Sequence, residues 1–184
     1  MDIESEIRRV ACDDRAAFSR LYRATGPALI RYAMGLLAGD RDGAEDAVDE
    51  AFLAIWKQAD RFDGRGNAMG WIRRIVRNKA IDWLRKQREV SASGEAALEN
   101  HSNEASKEPT PFDHAASLSH AASLREALRL LSLEQREAVW MCYYEEMPLR
   151  EIAEIAGCPE NTIKTRLFHA RKVLRQSGLL AAAE

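Results

Sequence analysis

The stretch PLREIAEIAGCPENTIKTRLFHARKVLR, Pro148 to Arg175, decides how this chain is read. Two short helical patterns meet at Gly157-Cys158-Pro159. A glycine there can take the left-handed conformation that ends one helix, and a proline suits the opening of the next. Leu149, Ile152, Ala153 and Ala156 share a face of the first helix. In the second, Ile163, Leu167, Ala170 and Leu174 recur at the spacing of one α-helical stripe. Counted from Leu149, Ala153 is fifth, Gly157 ninth and Ile163 fifteenth. A helix-turn-helix needs a small residue, a turn glycine and a core aliphatic at that spacing. The stripe leaves outside Lys164, Phe168, Arg171 and Arg175, flanked by Thr165, Arg166, His169 and Lys172. A cationic, hydroxyl-bearing face with one apolar side chain suits phosphate contacts, base-edge hydrogen bonds and thymine-methyl packing. The plain alternative is a basic surface helix in an ordinary bundle.

Working outward, the 184 residues have room for one large domain or two small helical ones, and 46% hydrophobic content supplies real cores. The net charge of −2 hides segregation. Asp40 to Glu50 carries six acids against Arg41, a net of −5. Arg65 to Arg88 carries eight bases against Asp82, a net of +7. Such blocks point to two different partners, one basic and one a polyanion. Cys12, Cys142 and Cys158 are odd in number and far apart, and they read as reduced thiols. No metal-ligand spacing appears, so neither a metal nor a cofactor is expected in this chain. With no leader-like N-terminus and no apolar run near the ~18 residues of a span, the expectation is a cytoplasmic protein without membrane insertion.

From Asp13 to Leu37 the apolar residues Phe18, Leu21 and Tyr22, then Leu29, Tyr32, Ala33, Leu36 and Leu37, read as helical. Gly26-Pro27 lies between the two sets, and Pro27 either kinks one helix or opens a second. In AEDAVDEAFLAIWKQADRF, Val48, Phe52, Ile55 and Ala59 form the buried stripe while Glu45, Asp46, Asp49 and Glu50 crowd the first turns. The helix dipole favours acids there. Four in six residues exceed what capping needs, because like charges at i, i+4 repel. That excess reads as a docking surface for a basic partner. The polar loop Phe62 to Asn67 precedes a helix from Trp71 to Arg88, with Ile72, Ile75, Val76 and Trp83 inward and Trp71 read as core. Arg74, Arg77, Asn78, Ile81, Arg85 and Arg88 line another side. A basic helix behind such a loop can hold a single strand by its phosphates while the loop takes a base turned out of the stack.

Glu89 opens a change of composition, rich in Ala, Ser and Glu, with six acids against Lys107 up to Ser117. It reads as a linker. About 30 residues reach on the order of 100 Å at ~3.3 Å each, more than one ~34 Å turn of DNA, and the acidity is suited to shielding basic faces in the free protein. Helical order resumes with Leu124, Leu128 and Leu131 on one face. Ser132 then opens a new helix with Gln135 at the capping-box position, and Val139, Cys142 and Tyr143 are expected inward. The expected fold is all-α: two small helical domains, 1–88 and 120–184, joined by a flexible linker, 89–119.

With these parts in order, the chain resembles an extracytoplasmic function (ECF, group IV) sigma factor of the bacterial sigma-70 family. Four motifs in the right order carry the resemblance: AEDAVDEAFLAIW, RFDGRGNAMGWI, RRIVRNKAIDWLRK and LREIAEIAGCPENTIKTRLFHARKVLR. It implies a non-enzymatic protein that directs RNA polymerase to promoters. Asp46, Asp49 and Glu50 would dock on the β′ clamp of the core polymerase. Asn67, Ala68 and Met69 would lie at the pocket for a flipped −10 base, with Arg74, Arg77, Asn78, Asp82 and Arg85 along the −10 element. Lys164, Thr165, Arg166, Phe168, His169 and Arg171 would read the −35 element of promoter DNA. It also implies an anti-sigma factor, in which any zinc would reside. Two departures stand out: Val48-Asp49-Glu50 lacks the family's frequent Gln, and His169 replaces a usual Arg. A dimeric helix-turn-helix repressor would leave the acidic patch and the basic loop-helix without a role. A sigma-like decoy would carry a degraded recognition helix, and an enzyme would need a paired nucleophile and base that the chain does not show.

Overall fold

The computed structural model describes residues 1–64, 67–92 and 125–176. Seven helices are bounded there: α1 Ile3–Val10, α2 Arg15–Leu36, α3 Arg41–Gln58, α4 Ala68–Ala92, α5 Leu133–Val139, α6 Leu149–Ala156 and α7 Glu160–Gln176. Residues 125–129 are also helical, and no strand occurs among the described residues. The linker expected at 89–119 lies almost wholly outside them, as does Leu124.

Short polar side chains set the helix starts. Asp2, Asp14 and Asp40 each accept a hydrogen bond from a backbone N–H of the first turn. Ser132 and Gln135 form the reciprocal capping box. Pro27 sits inside α2, which runs unbroken from Arg15 to Leu36. The proline neither starts a new helix nor ends one. α1 was not anticipated by the sequence reading; its Ile7 and Val10 are buried against α2. Arg20 of α2 holds it there, donating to both oxygens of Glu6 at 3.1 and 2.8 Å. These hydrogen bonds, ahead of any other influence, hold the Glu6 carboxyl below its ordinary 4.5. A depressed acid stabilises the fold above its unfolded value and loses that contribution as pH falls through the folded one. Arg20→Ala is therefore expected to lower the thermal midpoint at neutral pH. The gap from wild type should close as the buffer is taken well below pH 4.5, in a calorimetric pH series.

The first four helices pack α1 on α2, α2 on α3 and α3 on α4. Tyr32, Phe52, Leu21, Leu29, Ile55 and Ile72 are fully buried between them. In the C-terminal half, α6 and α7 meet at Gly157, which is left-handed at φ 65°, and Ile152, Ile163 and Leu167 are buried there. Pro159 ends up one residue before α7, its carbonyl accepting from Thr162 at 2.8 Å. One expectation fails. Tyr143 was placed inward, but it is 51% exposed. The buried residues here are Glu137, Ala138 and Met141, a helical stripe one position earlier than Val139 and Cys142, which are only half-buried; Trp140–Tyr144 form a π-turn.

The two halves are not apart. A single apolar cluster runs from Ile7 through Tyr32 and Val76 to Met141, Ile155 and Ile163, and α4 packs on α6 while α2 packs on α5.

Candidate nucleic-acid and polymerase interfaces

Three polar surfaces carry the expected residues. The first is the outward side of α3, where burial of Ala47, Val48, Ala51 and Phe52 turns Asp46, Asp49 and Glu50 into solvent. The Tyr22 hydroxyl donates to Asp49 at 2.9 Å while its ring packs on Phe52. Lys79 of α4 stands 3.5 Å from Glu50. These acids border a groove between α3 and α4 floored by Leu53 and Trp83. Leu53 is 55% exposed. The close helix approach depends on Gly43, where a Cβ would strike the Trp83 indole. An exposed anionic ridge with an apolar floor is the form a basic partner would meet.

The second surface is the start and one side of α4. Asn67 Oδ1 accepts from the Met69 and Gly70 amides at 2.9 and 3.2 Å, so Asn67 caps the helix that carries the basic row. Ala68 and Met69 are half-buried, Trp71 packs on Phe62, and Asn78 is exposed. Arg85 pairs with Asp82 at 3.3 Å. The remaining polar groups are brought onto the C-terminal half. Asn67 donates to Glu151 at 2.5 Å, and Arg74 donates to the Glu154 carbonyl at 2.7 Å. Arg73 pairs with Glu145. Arg77 Nε donates to the Glu137 carboxylate at 2.8 Å, and the Tyr32 hydroxyl donates to the same carboxylate at 2.9 Å. Glu137 is fully buried, and Tyr32 with it. Burial, and then the neighbouring Glu137 charge, push the Tyr32 phenol well above its ordinary value of 10, so it stays a donor. Glu137 is a residue the sequence reading missed. Its partners lie 105 and 60 positions away, and a lone Glu in a short helix carries no local sign of burial.

The third surface is the outer face of α7. Lys164, Thr165, Phe168, His169 and Arg171 are exposed, Phe168 by 65%. Arg166 is half-buried and turned toward the charge of Glu134. Arg171 donates to the Tyr143 hydroxyl at 2.6 Å and lies over its ring. Thr165 bonds back to the Asn161 carbonyl, and Lys164 pairs with Glu160 at 3.2 Å. Among the described residues no group of three His, Cys, Asp or Glu side chains could hold a metal ion. No described helix is long and apolar enough to cross a membrane.

Comparison with known proteins matches the same two parts. Residues 21–90 match the Sigma-70 region 2 model and residues 121–174 the Sigma-70, region 4 model, together well over half of the chain. The chain is 28% identical to the ECF RNA polymerase sigma factor SigW of Bacillus subtilis, covering 96% of each. It is 28% identical to SigK of Mycobacterium bovis, covering 95% of this chain and 92% of that one. Against the probable RNA polymerase sigma factor RfaY of Xanthomonas campestris, identity is 27% over 96% of this chain but only 44% of the longer relative. The fold superposes on the sigma factor RpoE, solved with the anti-sigma factor NepR from Bartonella quintana. The TM-score is 0.67 with 28% identity, covering 91% of this chain and 98% of that one. CnrH, solved with the cytosolic domain of CnrY, gives a TM-score of 0.69 over both whole chains at 24% identity, a likeness of fold. Matching family models at both ends and full-length ECF relatives place this chain in the sigma-70 family, in its ECF group.

Proposed function

We propose that each surface serves one step of promoter-directed initiation. Asp46, Asp49 and Glu50 dock on the basic clamp of the core polymerase. Asn67, Ala68 and Met69 take a flipped −10 base, while Arg74, Arg77, Asn78, Asp82 and Arg85 hold the melted strand. Lys164, Thr165, Arg166, Phe168, His169 and Arg171 face the −35 duplex. The protein lends specificity and performs no chemistry, needs no cofactor of its own, and works in the cytoplasm. An anti-sigma factor, the class of partner solved with RpoE, would cover these faces, and any zinc would belong to it. The observation that carries the reading is the separation of an exposed acidic ridge on α3 from an exposed basic, Phe168-bearing face on α7. Neither a repressor nor a decoy needs both.

Several phosphate contacts release counterions, so promoter affinity should fall steeply with salt. Gel shift with and without core enzyme separates this reading from a duplex-binding repressor, which would shift operator DNA alone. Asn78→Ala tests the −10 assignment. The expected result is loss of permanganate-reactive thymines at −10, with −35 protection by the holoenzyme retained. Equal melting by variant and wild type would remove Asn78 from the site.

A further inference from the structure

Two exposed tyrosines close the π-turn, and they are used differently. Tyr144 stacks on Trp140 with ring centroids 4.1 Å apart and belongs to its own turn. Tyr143, 51% exposed, leans instead on α7, against a residue 28 positions further along the chain. Its hydroxyl oxygen accepts from Arg171 Nε at 2.6 Å, and the guanidinium carbon lies 5.5 Å from its ring centroid. Arg171 is exposed on the outer stripe of α7, one turn beyond Phe168. On the same stripe Lys164 shares its charge with Glu160. The partner of Arg171 in this contact is a neutral phenol, which holds the guanidinium without cancelling its charge.

What the pair can still bind is an anion. With Nε engaged, both Nη groups at the outer end of the fork remain to donate. The phenol has accepted one hydrogen bond and keeps its own O–H to give, and hydrogen bonds in a chain polarise one another. A phosphate set against this edge would meet a charged fork and a hydroxyl together. A base edge fits less well. Counted from Glu160, Arg171 is the twelfth residue of α7, roughly 16 Å along the axis at ~1.5 Å each. The first turns of a recognition helix reach base edges, and its C-terminal end meets the backbone. We propose that Tyr143 and Arg171 form a single phosphate clamp on the −35 duplex, the tyrosine fixing the arginine in place and adding one donor of its own. This rests on the assignment of α7 to that duplex and adds a residue from outside the helix-turn-helix. An arginine already held loses less rotamer freedom when it binds. Phosphate contacts set orientation without reading sequence, so the clamp fixes how α7 enters the groove and leaves base choice to side chains nearer its start.

Tyr143→Phe keeps the ring under the guanidinium but removes the oxygen that accepts from Nε and the O–H that would donate to phosphate. It is compared with Arg171→Ala and with the double variant. Each full-length chain is assembled with core polymerase, and binding of a fluorescein-labelled duplex is followed by anisotropy between about 50 and 200 mM KCl. The duplex is one that the wild-type holoenzyme selects from random-sequence templates, beside a copy with its −35 block scrambled. Circular dichroism melts check folding. The expected loss of affinity is about fivefold for Tyr143→Phe and at least about tenfold for Arg171→Ala. The double variant should stay within about twofold of Arg171→Ala, because the two side chains act as a unit. The logarithmic salt slope of Arg171→Ala should be shallower by about 0.9, the release expected from one phosphate. Tyr143→Phe binding like wild type, whatever its melting point, would reduce the contact to a surface brace and overturn the clamp. Additive losses in the double variant would overturn it as well, and a slope unchanged by Arg171→Ala would remove phosphate as the ligand. Equal binding of intact and scrambled duplexes by the wild type would strike the assignment of α7 to the −35 element instead, while slope and coupling still decide whether the pair holds a phosphate.

Discussion

Reversing Asp49 and Glu50 to lysine is expected to weaken association with core RNA polymerase at least about a thousandfold. Losing one partner of a desolvated interfacial charge pair costs about 2–5 kcal/mol. Two such losses at the low end give ~4 kcal/mol, about three decades in Kd, and reversal adds repulsion from a basic partner. Both side chains project from a helix whose other face is buried, so the fold should survive. Locally the change removes the Tyr22 hydrogen bond and places a lysine beside Lys79, effects of the size of exposed pairs, about 1 kcal/mol or less. Co-sedimentation with core enzyme, beside a thermal melt, reads both quantities. A variant that melts like wild type and still co-sediments would free the ridge of its assigned partner.

The second large effect is on stability. Ile163 is fully buried where α7 crosses α6. Ile163→Ala should cost roughly 2–5 kcal/mol through lost burial and the cavity left behind. Small domains hold only about 5–15 kcal/mol in all. The C-terminal half should then melt early and lose duplex binding, while α1 to α4 keep their own transition and their hold on core enzyme. Differential scanning calorimetry with a −35 duplex gel shift tests this. A single unshifted transition would mean that the stripe Ile163, Leu167, Ala170 does not form the core of that half.

Most of the local architecture was legible in the sequence because its causes are local. The Ile163–Leu167–Ala170 stripe, the Gly157 turn and the Ser132–Gln135 box depend on residues within a few positions of each other, and all three stand in the structure. The exposure of Asp46, Asp49 and Glu50 followed from the apolar stripe opposite them. Pro27 was undecided, and α2 runs through it. Tyr143 lies off the inward face because the buried stripe is Glu137, Ala138 and Met141, displaced by one position from Val139 and Cys142. What the sequence did not reveal is the contact between halves. Trp140 against Gly35, and Glu137 with Tyr32 and Arg77, pair residues far apart in the chain. Nothing in the short helix LEQREAV marks Glu137 rather than Glu134 as the buried one. The acidity expected to cover the basic helix is that of the linker; among the described residues, acids of α5, α6 and the turn between them lie on that helix, and Glu50 of α3 meets its Lys79.

The central claim is that this chain gives core polymerase its promoter choice through two cationic helices read together. Transcription in vitro, with purified core enzyme over a library of random upstream sequences, tests it most directly. The account predicts transcripts only when the chain is added, from templates sharing two short sequence blocks at −35 and −10. Transcription no different from core enzyme alone, or start sites sharing no such pair of blocks, would contradict it.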